Sequence, residues 1–136
     1  MGIIDRIVTA LIGVSEAMPV EMWRRYPELA SVRIRRGGLP PRVGGWALGR
    51  ATVAAITLRP WVFLAPGVPM DAPLLLHELR HLQQFEASPL FPIQYVWASL
   101  RHGYHANPYE VDARDFAARR VRASGTVSAG ERHRGV

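Results

Sequence analysis

The sequence contains no cysteine, which removes disulfides, thiolate metal sites and a cysteine nucleophile from consideration. Any bound metal must then be held by His or carboxylate side chains. The absence also fits a reducing cytosol, so the expected compartment is the cytoplasm. Lysine is missing too: all 17 basic residues are Arg, against 11 acidic ones, for a formal net charge of +6. These arginines are scattered and thickest in the terminal ERHRGV, without the interleaved aromatics of a base-stacking surface. Specific nucleic-acid binding is therefore not expected. No apolar run reaches the roughly 18 to 20 residues that a membrane-spanning helix needs. The opening MGIIDRIVTALIGVSEAMP has neither a basic leader nor a small-residue cleavage site, so neither a signal peptide nor a transmembrane segment is expected.

What is present suffices for one core. A chain of 136 residues, 49% hydrophobic and with four Trp, is expected to form a single domain over residues 1–124, followed by a flexible basic tail over 125–136. Ile3, Ile4, Ile7, Val8, Leu11 and Ile12 recur at helical spacing with Asp5, Arg6 and Thr9 opposite. The pattern predicts an amphipathic helix ending near Pro19 and packed on the core, since one basic residue is too few for a membrane-binding face. From Ala30 to Ala65 the chain changes to short runs rich in Val, Ile, Thr and Trp: SVRIRR, GGWALGR and ATVAAITLRPWVFLA. Glycine and proline pairs separate them, which predicts two or three antiparallel strands. Pro60 cannot donate a ladder hydrogen bond, so the last run must either split there or lie at an edge.

Asp71 is a suitable N-cap and Pro73 fits a first turn, which predicts a helix from about Ala72 to Ala87. After SPLFP, the run IQYVWASL reads as helical, the loop RHGYHANP follows, and YEVDARDFAARRVRA forms a last helix. Val111, Ala118 and Val121 are the candidates for its buried face. The fold class is therefore α+β.

The residues HELRH place His77 and His81 at i and i+4, one turn apart on the same helix face. Two imidazole nitrogens so placed can meet one zinc ion at about 2.0 to 2.1 Å each. Glu78, beside the first histidine, stands where a carboxylate can accept a proton from a zinc-bound water, the position of a general base. A third protein ligand is needed, and the extended pattern with a third histidine is absent because Gln84 and Ala87 occupy its places. Glu110, in the first turn of the last helix, is the favoured candidate. Its competing role is a capping box with Asn107, which has the cap-to-N3 spacing. His102 and His105 are rival ligands in the preceding loop. Either of them, or Tyr104 or Tyr109, could instead stabilise an oxyanion. Asp112 and Asp115 are candidate acceptors for the N–H of a ligating imidazole.

HELRH followed by a glutamate in NPYEVDA resembles the gluzincin group of zinc metallopeptidases, and the size resembles its single-domain minigluzincins. The similarity covers about residues 71–120. It implies an N-terminal helix, a small twisted, mainly antiparallel sheet whose edge strand pairs with an extended peptide, a zinc-binding helix and a glutamate-bearing helix. Many gluzincins carry, four positions after that glutamate, an acidic residue that supports a zinc-ligating histidine. This chain has Arg114 there, with Asp112 and Asp115 as substitutes.

The expected function is a zinc-dependent peptidase in which His77, His81 and Glu110 hold Zn2+ and Glu78 is the base. Its partner is a peptide or protein substrate held by the strand near residues 54–63, with a regulatory protein as a further partner to consider. The alternative is a non-catalytic, zinc-stabilised protein-binding domain, with His105 or His102 closing a four-ligand site. A third reading is a DNA-associated protease, supported by charge alone.

Overall fold

The computed structural model describes residues 1–47 and 54–133. Its chain contacts divide it into two compact units, Met1–Met70 and Asp71–Val136. The fold is α+β, with six α-helices, one 3-10 turn and a four-stranded mixed sheet among the described residues.

The first unit opens with α1 (Ile3–Ile12), β1 (Val14–Glu16), α2 (Val20–Arg25) and a 3-10 turn (Pro27–Ser31). β2 (Arg33–Arg36), α3 (Pro40–Ala47), β3 (Ala55–Leu58) and β4 (Trp61–Leu64) complete it. The strand order is β1-β2-β4-β3. Two of its pairings are antiparallel and β2 with β4 is parallel. The long run ending in WVFLA splits at Pro60 into a hairpin, which makes β3 an edge strand and β4 an inner one. Pro60 thus sits in the connection, where its missing N–H costs no ladder bond. Val62, Phe63 and Leu64 are all buried, as an inner strand covered on both faces requires.

Two expectations are corrected here. The run GGWALGR was read as strand-like, but its first residues belong to helix α3, while residues 48–50 lie outside the described residues. A paired proline at Pro40-Pro41 sets helical φ at the start of that segment, and this outweighs the propensity of Trp46. Second, α1 was expected to pack on the core, yet none of its residues is buried, and Ile3 and Ile4 are 76% and 72% exposed. The helix is instead held by its C-terminal backbone. Leu39 N–H donates to Leu11 O, and the Arg35 guanidinium donates to Ile12 O and Gly13 O. The contact is close: at Gly13, with φ of 64°, a Cβ would stand 2.3 Å from Arg36 O, so only glycine fits.

The second unit contains α4 (Ala72–Ala87), α5 (Phe91–His102) and α6 (Pro108–His133). The helix α4 has the predicted bounds, and Asp71 caps it by accepting from Leu74 N–H at 2.9 Å. Leu75, Leu76, Leu79 and Leu82 give it a buried stripe that also contains Glu78 and His81. On α6 the buried stripe is Glu110, Ala113 and Ala117, at i, i+3 and i+7. Val111, expected inside, is 39% exposed. The phase of α6 is set by Glu110, and small alanines let α6 approach α4 closely. A carboxylate on a core stripe is uncommon unless it is paired or coordinates a cation.

Candidate metal centre

The two histidines of HELRH meet Glu110 at one point. His77 Nε2 and His81 Nε2 lie 3.0 Å apart. Glu110 Oε2 is 2.9 Å from His77 Nε2, and Glu110 Oε1 is 3.1 Å from His81 Nε2. All three side chains are largely shielded, with 16%, 8% and 3% of their surfaces exposed for His77, His81 and Glu110. Such a group of ligand atoms could hold a metal ion.

The donor set fits a divalent cation on a specific observation. Glu110 Oε2 is buried and takes part in no hydrogen bond; its neighbour is His77 Nε2 at 2.9 Å. A buried carboxylate oxygen left unpaired carries a large desolvation penalty, which a cation bridging the three side chains would remove. The other oxygen, Oε1, accepts a 2.6 Å hydrogen bond from Tyr95 O–H on α5. Two imidazoles and one carboxylate match the ligand chemistry of zinc in sites that leave a further position open. The identity of the metal belongs to the proposal below.

The electrostatics agree with this convergence. Burial works against ionising Glu110, but the close imidazoles of His77 and His81, the charge of His81 and the Tyr95 hydrogen bond hold its pKa well below the usual carboxylate range. Burial likewise opposes charge on His81. The Glu110 hydrogen bond, the nearby charges of Glu78 and Glu110, and Gln84 outweigh it and raise its pKa. Burial and the adjacent Glu110 push the Tyr95 phenol up, so it remains a hydrogen-bond donor at every physiological pH.

The surroundings orient the ligands. Gln84 Oε1 lies 2.8 Å from His81 Nδ1, and its Nε2 donates to Tyr109 O and to Asp112 Oδ2. Asp112 in turn receives two hydrogen bonds from Arg80, whose guanidinium lies 5.5 Å from the Phe116 ring centre. Asp112, a candidate acceptor for an imidazole N–H or a surface charge, accepts from Gln84 Nε2 and from Arg80. Asp115 is exposed on α6. Around His81 stand Phe91 and Tyr95, with ring centres 6.1 and 5.9 Å away, and Tyr109 packs edge-on to Phe91.

Of the residues singled out from sequence, His77, His81 and Glu110 come together, and Glu78 is buried on the same helix. His102 and His105 are exposed and outside the metal-competent group among the described residues. Tyr109 O–H donates to Gln94 at 3.4 Å, and the Tyr104 ring packs against that of His105. The capping role weighed for Asn107 is half present: its Oδ1 accepts from Tyr109 N–H, while the Glu110 side chain points to the histidines and Tyr95. Sequence reasoning missed Tyr95 and Gln84. A signal existed for both, because Phe91 and Tyr95 share a face at i, i+4, and Gln84 lies three residues beyond His81. Arg114, at the place where the gluzincin resemblance expects an acid, donates to His105 O and lines an open, mainly apolar hollow of about 370 Å³ with Pro73, His77, Ala117, Ala118 and Val121. Compared with known proteins, the chain matches no family model, no curated protein and no solved structure.

Proposed function

We propose that this chain is a zinc-dependent metallopeptidase of the gluzincin kind, with Zn2+ held by His77, His81 and Glu110. The observation that carries the reading is the buried Glu110 Oε2, without a hydrogen bond, facing two imidazoles that HELRH sets one helical turn apart. Bound zinc would supply a Lewis acid for a carbonyl and a water of lowered pKa.

The remaining chemistry falls to the chain's own side chains. The Glu78 carboxylate, next to His77 on α4, takes a proton from the attacking water and delivers it to the leaving amine. Tyr95 O–H keeps Glu110 Oε1 oriented, so the carboxylate does not rotate away from the histidines. The hollow beside His77 offers Pro73, Ala117, Ala118 and Val121 to an apolar group of the substrate.

The test combines metal analysis and cleavage. Purified wild type is expected to carry one zinc and to cleave an unstructured protein such as casein. His77→Ala and Glu110→Ala should lose the metal. Glu78→Gln should retain it while cleavage falls by about 10²- to 10⁴-fold. Wild type that holds zinc without cleaving any of a broad peptide library would end the peptidase reading, and wild type without metal would end both.

A further inference from the structure

A zinc-ligating histidine needs its second ring nitrogen fixed, because the tautomer decides which nitrogen offers a lone pair. For His81 the structure shows how this is done without a carboxylate in contact. The amide of Gln84 has two ends of similar shape and opposite hydrogen-bonding character, so its neighbours decide its orientation. One end faces Tyr109 O at 3.1 Å and Asp112 Oδ2 at 2.9 Å. The carbonyl can only accept, and both Asp112 oxygens take hydrogen bonds from the Arg80 guanidinium. The end between them must therefore be the NH2 group. The carbonyl Oε1 then faces His81 Nδ1 at 2.8 Å, and that nitrogen must carry the proton. Nε2 is then the nitrogen that would offer its lone pair to a metal held together with His77 and Glu110.

We propose that Gln84 is a positioning residue that sets the His81 tautomer, and that the chain Arg80–Asp112–Gln84 locks its amide in the one orientation compatible with metal binding. The inference rests on the metal reading above and adds to it the element that tunes the site. A neutral amide donates less electron density through the imidazole than a carboxylate would. The Asp112 charge acts one hydrogen bond further away. Arg114, where the resemblance expects the supporting acid, leaves this role to α4 itself.

Zinc affinity by chelator competition, with cobalt(II) absorption as a second readout, tests it on the full chain. Gln84→Met keeps the volume and removes both hydrogen-bonding ends. Affinity is expected to drop about tenfold to a hundredfold while far-UV circular dichroism is unchanged. Gln84→Glu should not restore it, because a second carboxylate oxygen would then face Asp112 Oδ2 where the amide nitrogen now sits. Asp112→Ala, at a partly exposed position that tolerates truncation, should weaken zinc less than Gln84→Met does. In the zinc-loaded wild type the His81 Nδ1–H proton should be visible by NMR and slow to exchange, and it should be lost in Gln84→Met.

Two outcomes overturn the proposal and are distinguishable. If wild type binds zinc and Gln84→Met binds it equally well with the Nδ1–H signal intact, the role of Gln84 falls and the metal site stands. If wild type binds no zinc or cobalt, the metal reading falls and takes this inference with it.

Discussion

Arg36 in the first unit and Glu110 in the second are both charged side chains tied into several partners, and the two are finished differently. Arg36, on β2, directs its donors to both oxygens of Glu16 and to the carbonyls of Ala65 and Val68. Glu110, on α6, has one oxygen bonded to Tyr95 and the other buried without a hydrogen bond. A group that only holds backbone together is expected to have every polar atom matched, because a gap costs stability and returns nothing. Glu110 Oε2 instead sits inside a shielded cluster of imidazoles that could hold a metal ion. The contrast separates architecture from chemistry within one chain.

The comparison breaks most visibly under paired substitutions. Glu110→Ala should lower zinc affinity by more than about a hundredfold, beyond the cost of losing an outer hydrogen-bond partner. Arg36→Met should leave zinc affinity unchanged and lower the urea stability of the chain by about 1 to 3 kcal/mol, since two backbone carbonyls lose a charged donor. Chelator competition and urea titration on the two variants check both halves. Equal zinc loss in the two would erase the distinction.

Thermal unfolding sharpens it. Zinc at 100 times its dissociation constant should stabilise wild type by about 2.7 kcal/mol, read as a rise in Tm, and Glu110→Ala should show no such rise. Arg36→Met should keep the full zinc-induced increment from its lower starting point.

The smallest effect concerns pH. The Arg36 hydrogen bond to Glu16 depresses the Glu16 pKa below its model-compound value of 4.5. A group whose folded pKa is depressed contributes stability above its unfolded pKa and loses it as pH falls through the folded one. Because Glu16 is partly exposed, that contribution is under about 1 kcal/mol. The stability difference between wild type and Glu16→Gln should therefore be present at pH 7 and close progressively below 4.5. A difference that persisted at pH 2 to 3 would mean that the pair acts by shape and not by charge.

Much of the candidate metal centre was legible in the sequence because HELRH is a local pattern, and helical spacing alone places its two imidazoles. The Asp71 cap and the bounds of α4 follow from the same local rules. Glu110 was favoured from its place in the first turn of the last helix, with His102 and His105 left as rivals. What was not legible depends on partners distant in sequence. Tyr95 acquires its meaning only when α5 lies beside Glu110, and Gln84 only when Asp112 and Tyr109 of α6 fix its amide. In the first unit the α+β class could be read from composition, but α3 and the parallel pairing of β2 with β4 could not. Those depend on which strand is in the middle, and short apolar runs do not encode that.

Asn107 has a consequence for how freely this sequence could drift. At a helix start, Asn and Asp serve about equally well, because either side chain can accept from the first turn. Here the residue is fully buried, and while Oδ1 accepts from Tyr109 N–H, its Nδ2 donates to Tyr95 O and Ser99 Oγ at 3.2 and 2.8 Å. Aspartate would keep the cap and lose both donors, facing a carbonyl with a negative charge instead. The exchange that looks most conservative in a helix-start table would release the backbone of the very residue whose phenol steadies Glu110, so tolerance at position 107 is set by the neighbouring helix more than by its own.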